Sequence, residues 1–253
     1  MDILVYDKTF IGLLTAIFDV YEYKFKNPLI YPEGNARSSL FGAHHVVHTD
    51  TKKSERVWSK LDMKLSKISL TQLYKTFLSE LPGIENNILR YIQYVIASRY
   101  NVENDYSHTE VLMVKQTAKK VDREKHRMEA FVRFALTKDE LYYSIIQPDF
   151  NVLPLISNHF KNRYADQRWL IYDIRRKYGL YYDKKNITEV QIDFTSDLQN
   201  ADAKNNLYDE NEILYQELWK QYFSSVNIKA RKKTKLHIQH MPKRYWKYLV
   251  EKQ

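Results

Sequence analysis

No cysteine occurs anywhere in this 253-residue chain, and that absence removes several chemistries at once. No disulfide, thiolate nucleophile, zinc–thiolate site or cysteine-held iron–sulfur cluster can be assembled from it. Glycine and proline are also scarce, at five and six positions. With 44% hydrophobic residues, that scarcity argues against a disordered or fibrous chain and for one that buries a sizeable core. No stretch approaches the roughly 20 apolar residues of a membrane span, so no membrane association is expected. The opening Met1-Asp2-Ile3-Leu4-Val5-Tyr6-Asp7 lacks the basic start and apolar run of a secretory leader, and a cytoplasmic location is expected. Glycine-rich phosphate loops are missing, which disfavours a P-loop nucleotidase or a Rossmann enzyme.

What the chain has in excess is positive charge and tyrosine. Lys plus Arg number 40 against 31 acids, a net charge of +9. Such a balance suits a nucleic acid or another anionic surface, and equally a solvated basic exterior. The 21 tyrosines can stack on bases where they lie among cations, or half-bury with a wet hydroxyl.

Hydrophobic spacing lays out the elements. The first seven residues alternate as a short strand, and Asp7 or Thr9 caps a helix built on Phe10, Leu13, Leu14, Ile17, Phe18 and Tyr21 that ends near Lys26. Residues 28–50 read as loop and short strand, and residues 51–129 as a block of four helices broken at Pro82-Gly83. Phe131, Val132 and Phe134 face Leu141, Tyr142, Ile145 and Ile146 across a polar turn, a hairpin signal. A helix over Val152–Tyr164 follows, then strands at Trp169–Tyr172, Leu180–Asp183 and Val190–Ile192, a polar loop over 195–211, and a helix holding Ile213 to Phe223. In the first of these strands, Trp169 and Ile171 would bury on one face with Arg168, Leu170 and Tyr172 on the other. The final 25 residues carry nine Lys or Arg against the single acid Glu251. The expectation is an α+β protein. A mainly helical part, residues 1–127, packs with a small antiparallel sheet and its helix in residues 128–253, ending in a basic helical C-terminus. The two parts could equally form one continuous domain.

Several motifs stand out. They are Asp122-Arg123-Glu124-Lys125-His126-Arg127-Met128 leading into Phe131-Val132-Arg133-Phe134, and Gln147-Pro148-Asp149-Phe150-Asn151. Arg163-Tyr164-Ala165-Asp166-Gln167-Arg168-Trp169 and Met241-Pro242-Lys243-Arg244-Tyr245-Trp246-Lys247-Tyr248-Leu249 complete them, with Tyr6-Asp7-Lys8-Thr9-Phe10 near the start. Together they resemble an uncharacterised bacterial family described as DNA metabolism or repair proteins. Its members are typically encoded beside a radical SAM protein, and some relatives are fused to a uracil-DNA-glycosylase-like domain. The resemblance spans nearly the whole chain, and Asp166-Gln167-Arg168-Trp169 is its most specific part. It implies a role in DNA repair or modification, with DNA, a radical SAM protein and a uracil-DNA-glycosylase-like protein as partners. It implies no catalytic residue. A radical SAM partner would carry the cluster that this cysteine-free chain cannot.

Three groups of cations are candidates for nucleic-acid contact. The tail offers Arg231, Lys232, Lys233, Lys243 and Arg244, with Trp246 placed to stack on an unpaired base or to pack on the core. Arg168, Arg175 and Arg176 flank a strand, where they would bind a phosphate or pair with Asp166 and Asp173. Arg123 and Arg127, in line with Lys119, form one side of a basic helix that could also be simply solvated. Asp149, Asp166 and His126, with Asn151, would make a general acid–base group if the fold gathered them. His44, His45, His48 and Asp50 suggest a metal site at first sight, but their segment reads as loop or strand, and a structural or exposed role is expected. No metal and no cofactor is expected. The reading is a DNA-binding accessory factor working with a radical SAM enzyme. The alternatives are a hydrolase or glycosylase-like enzyme on damaged nucleotides and a scaffold that binds no DNA.

Overall fold

The computed structural model describes residues 2–34, 44–191, 212–226 and 238–252. The chain divides into two compact units, Met1–Asp122 and Arg123–Gln253, each described by itself. The α+β class is as expected.

The first unit opens with β1 (Asp2–Tyr6), α1 (Phe10–Glu22), β2 (Pro28–Pro32) and β3 (His44–Val46). The strands form a three-stranded sheet in the order β2-β1-β3, parallel at both joints. The helix α1 supplies the crossover connection that a parallel β1–β2 pair needs. The helices α2 (Thr51–Asp62), α3 (Lys67–Phe77) and α4 (Ile84–Ala97) follow, and the unit boundary falls within α5 (Thr109–Phe131). Thr9, Asp50 and Ser66 cap α1, α2 and α3 through side-chain oxygens, each satisfying backbone N–H groups that a first turn leaves open. Leu4, Leu13, Ile17, Ile30, Leu61, Leu73, Ile88 and Ile92 form the fully buried centre. Asn86 of α4 bonds both ways to the Ile30 backbone, its Oδ1 accepting at 2.9 Å and its Nδ2 donating at 3.1 Å. The outer edge of β2 is thereby closed by a side chain.

The second unit holds β4 (Ala135–Leu136), β5 (Tyr142–Ile146), α6 (Leu153–Arg163), β6 (Trp169–Asp173), β7 (Tyr178–Tyr182) and β8 (Ile187–Val190), then α7 (Glu212–Val226) and two 3-10 turns, Lys243–Tyr248 and Val250–Lys252. The sheet order is β4-β5-β6-β7-β8. It is mixed, not antiparallel as the sequence suggested: β5 and β6 run parallel, Tyr142 opposite Trp169 and Ile146 opposite Asp173. The helix α6, which lies between them in the chain, supplies the crossover that a parallel pair needs and a hairpin could not give. The hairpin signal is also shorter than expected. Met128, Phe131 and Val132 sit three and four residues apart and continue the apolar stripe of α5, so β4 keeps only two residues. All five residues of β6 are buried, so the face of Leu170 and Tyr172 is covered as well as that of Trp169 and Ile171. That is the pattern of a central strand covered on both faces. Trp169, with no exposure, meets Phe134, Phe160 and Tyr182 ring to ring.

Candidate nucleic-acid interface

Three segments meet beyond the carboxyl ends of β5 and β6. Gln147-Pro148-Asp149 leaves β5, the turn Ile174–Lys177 leaves β6, and the 3-10 turn Lys243–Tyr248 brings the C-terminal cations. The carboxyl end of a parallel strand pair is where open sheets commonly receive ligands.

Each segment is held by a buried carboxylate. Asp173, the last residue of β6, is fully buried and accepts from the Arg175 and Arg176 backbone N–H groups at 2.9 and 3.3 Å. This is the local bond by which an aspartate shapes a tight turn. Lys177 closes the turn in the left-handed region, φ 58°, its N–H donating to the Asp173 carbonyl at 2.8 Å. Glu124 of α5 is 1% exposed. It accepts from the Asp149 N–H at 2.8 Å, from the Tyr245 hydroxyl, and from Arg244 at 3.2 Å, and it pairs with Arg127 at 3.5 Å. A buried carboxylate tolerates desolvation only with donors arrayed like this. Glu124 thus ties the Gln147–Asp149 segment to the C-terminal turn.

The pocket so formed has a volume of about 540 Å³ and is lined by Gln147, Pro148, Asp149, Arg175, Lys243, Arg244 and Lys247. Four cationic side chains face one carboxylate. Arg244 pairs with Asp149 at 2.7 Å. Burial works against its charge, but Tyr245, Glu124 and Asp149 outweigh burial and hold its pKa above the ordinary arginine value. Burial and the bond to Glu124 push the Tyr245 hydroxyl well up, so it stays a donor. Lys247 and the Tyr248 hydroxyl both donate to Gln147 Oε1, at 2.7 and 2.8 Å. Arg175 donates to the Asp149 carbonyl at 3.0 Å and Lys243 lies 5.9 Å over the Trp246 ring. Neither is paired with a carboxylate among the described residues. A guanidinium and two ammonium groups on a rigid frame can bind an oxyanion of the phosphate type.

Lys243, Arg244 and Arg175, from two separate candidate groups, therefore share one pocket with Asp149. Arg176 does not serve it as a free hand. Its guanidinium turns inward to Asp173 at 2.8 Å and to the Pro148 and Asp149 carbonyls at 3.2 Å each, and it pins the turn. Trp246 is half-buried, donates from Nε1 to the Met241 carbonyl at 3.0 Å, and has Lys252 5.2 Å over its ring. Arg168 donates to the Asp139 carbonyl at the far end of the sheet. Arg123 and His126 are exposed on α5, and Arg127 is drawn to Glu124. Arg231, Lys232 and Lys233 lie outside the described residues. The acid–base group is not gathered. Asp149 follows the end of β5 and Asp166 precedes the start of β6, so they occupy opposite ends of the parallel pair. Asn151 accepts from the Tyr178 hydroxyl. In the first unit His45 Nε2 meets the buried Asp19 at 2.8 Å, a structural partner for one of the three histidines.

Sequence reasoning missed Glu124 and Gln147 as members of the site. Glu124 carried a readable signal: it occupies an inward position of the stripe Val121, Glu124, Met128, where three and four residue steps call for an apolar side chain.

Fold and site together define an α+β protein of two compact units, the second carrying a cation-lined pocket at the carboxyl end of a mixed sheet. Residues 82–251 match the model of DUF4130, described as a domain of unknown function, and the chain belongs to that family. The comparison with curated proteins gave no match. Among the described residues no helix is long and apolar enough to cross a membrane.

Proposed function

We propose that this chain is a DNA-binding protein of DNA repair or base modification, which grips the sugar–phosphate backbone through the pocket around Arg244 and works as an accessory to a radical SAM enzyme. The observation that carries the reading is the convergence of Arg175, Lys243, Arg244 and Lys247, drawn from distant parts of the sequence, onto one pocket. Arg244 is oriented by Glu124, Asp149 and Tyr245 before any ligand arrives, which lowers the conformational cost of binding. The net charge of +9 adds long-range attraction for a polyanion. The radical SAM partner is supported by the family resemblance and by the missing cysteines. The acid–base group of Asp149, Asp166, His126 and Asn151 needed those residues in one place, and the separation of Asp149 from Asp166 favours the binding role.

The test is a polarisation titration with labelled single- and double-stranded DNA, with RNA in parallel, between about 50 and about 200 mM salt. The reading expects DNA binding whose log K falls linearly with log salt, by about 0.9 for each duplex phosphate neutralised. No binding at the lower salt, or a preference for RNA, counts against it.

A further inference from the structure

A second cavity in the same unit is built quite differently. Its volume is about 680 Å³, within the range of small-molecule sites. Phe134 and Tyr164, whose rings meet edge to face at 5.4 Å, line it together with Tyr215 and Trp219 of α7. Gln167 and Glu212 supply polar groups at its margin. Trp219 keeps 40% of its surface exposed and Tyr215 58%, an unusual placement for two large rings one helical turn apart.

The Trp219 ring is fixed as it stands. Its Nε1 donates to Glu251 at 3.0 Å, and Glu251 in turn pairs with Arg133 at 2.8 Å. Burial opposes the Glu251 charge, but Arg133 and Trp219 hold its carboxyl below the ordinary value, so the support is ionised at neutral pH. The Arg133 guanidinium lies 5.7 Å from the Trp219 ring, and its buried Nε makes no hydrogen bond among the described residues. Glu212 is 6% exposed and accepts from the Leu136 N–H and the Gln216 amide. Gln167 makes no side-chain hydrogen bond among the described residues, and its amide offers both a donor and an acceptor. Exposed aromatic rings, Trp219 and Tyr215, beside a donor–acceptor amide suit a planar nitrogen heterocycle, which stacks on its faces and hydrogen-bonds in its plane.

The two cavities lie along one strand. Tyr142, the first residue of β5, lines the aromatic cavity, and Gln147, just past its end, lines the cation pocket. Five residue steps at about 3.4 Å separate them by roughly 17 Å, on the order of five nucleotide rises. The C-terminal turns also reach both, through Val250 and Lys247.

We infer that the aromatic cavity receives a nucleobase turned out of its stack, from a strand whose phosphates occupy the cation pocket. This inference rests on the DNA-binding reading. Bases that are unpaired, mismatched or damaged leave the stack at least cost and are the expected occupants.

The probe is 2-aminopurine, whose fluorescence is quenched by stacking. It is used as the free deoxyriboside and placed singly in a short single-stranded oligonucleotide, with the full-length protein, Trp219→Ala, Trp219→Phe and Tyr215→Ala. The expected result is a saturable change in 2-aminopurine emission on binding. Affinity should fall roughly fivefold or more in Trp219→Ala and Tyr215→Ala, the lower end of losing one base–aromatic stack, and be largely kept in Trp219→Phe. Both alanine variants alter exposed rings, and circular dichroism confirms their fold. Oligonucleotide binding with its salt dependence intact, but with unchanged emission and no effect of either alanine variant, overturns the base site and leaves the phosphate pocket standing. Saturable stacking of the free deoxyriboside without oligonucleotide binding supports the base site and removes the backbone grip. Neither ligand changing emission overturns it.

Discussion

Glu124 shows how a single residue organises the candidate site. It is buried with four donors around it, and removing one leaves a carboxylate partly unpaired inside the protein. Tyr245→Phe deletes one hydroxyl and almost no volume. The expected destabilisation is about 1–3 kcal/mol, the cost of a buried polar group left short of a partner, measured by urea unfolding. An unchanged midpoint would mean that the Glu124 contacts do not hold the C-terminal turn. Glu85, in the first unit, gives a pH prediction. Burial raises its carboxyl above the ordinary value of 4.5, despite the bond it accepts from Tyr6 at 3.2 Å. A raised folded value means that the folded state disfavours ionised Glu85. The penalty is absent below the unfolded value and grows as pH rises towards the folded one. Glu85→Gln removes the ionisation. Its melting temperature, relative to wild type, should therefore rise between acid and neutral pH. A difference that stays constant with pH contradicts the assignment.

At the scale of elements, α1 is set against β1 through a glycine. A Cβ on Gly12 would lie 2.1 Å from Asp7 Oδ1 and 2.9 Å from Thr49 Oγ1. Asp7 already accepts from the hydroxyls of Thr9 and Thr49, at 2.7 Å each. Gly12→Ala gains about 1 kcal/mol in helix propensity but forces that cluster apart at a typical overpacking cost of about 1–3 kcal/mol. A net loss on the order of 1 kcal/mol is expected by denaturant unfolding, and a net gain would show that Asp7 moves freely.

The helices were the legible part of the fold, because Leu70, Leu73 and Phe77, or Ile84, Ile88 and Ile92, repeat at the spacing that buries one face. Strand direction was less legible. Residues such as Tyr142 and Trp169 announce strands, yet their pairing depends on the chain between them. Read together with the helix at Val152–Tyr164, they already implied a crossover. Of the site, the cations of the tail and of the β6–β7 turn were legible from charge. That they share a pocket was not, because it depends on a fold that joins Glu124, Asp149 and Arg244 across 120 residues. The reverse holds for Asp149 and Asp166, close in sequence and placed at opposite ends of the sheet.

Over the whole molecule, a net charge of +9 suits a polyanion or a solvated exterior alike, and the proposed reading assigns the polyanion to the cation-lined pocket of the second unit. Arg175, Lys243 and Lys247 can be altered with least harm to the fold, because all three are exposed, whereas Arg244 compensates buried Glu124. The most direct measurement is the affinity for a DNA oligonucleotide across a series of salt concentrations, wild type against the triple variant Arg175→Gln, Lys243→Gln, Lys247→Gln. If the pocket holds phosphates, the variant binds more weakly at low salt and its slope of log K against log salt is shallower by roughly 2–3. The same affinity and the same slope in both proteins would contradict the account.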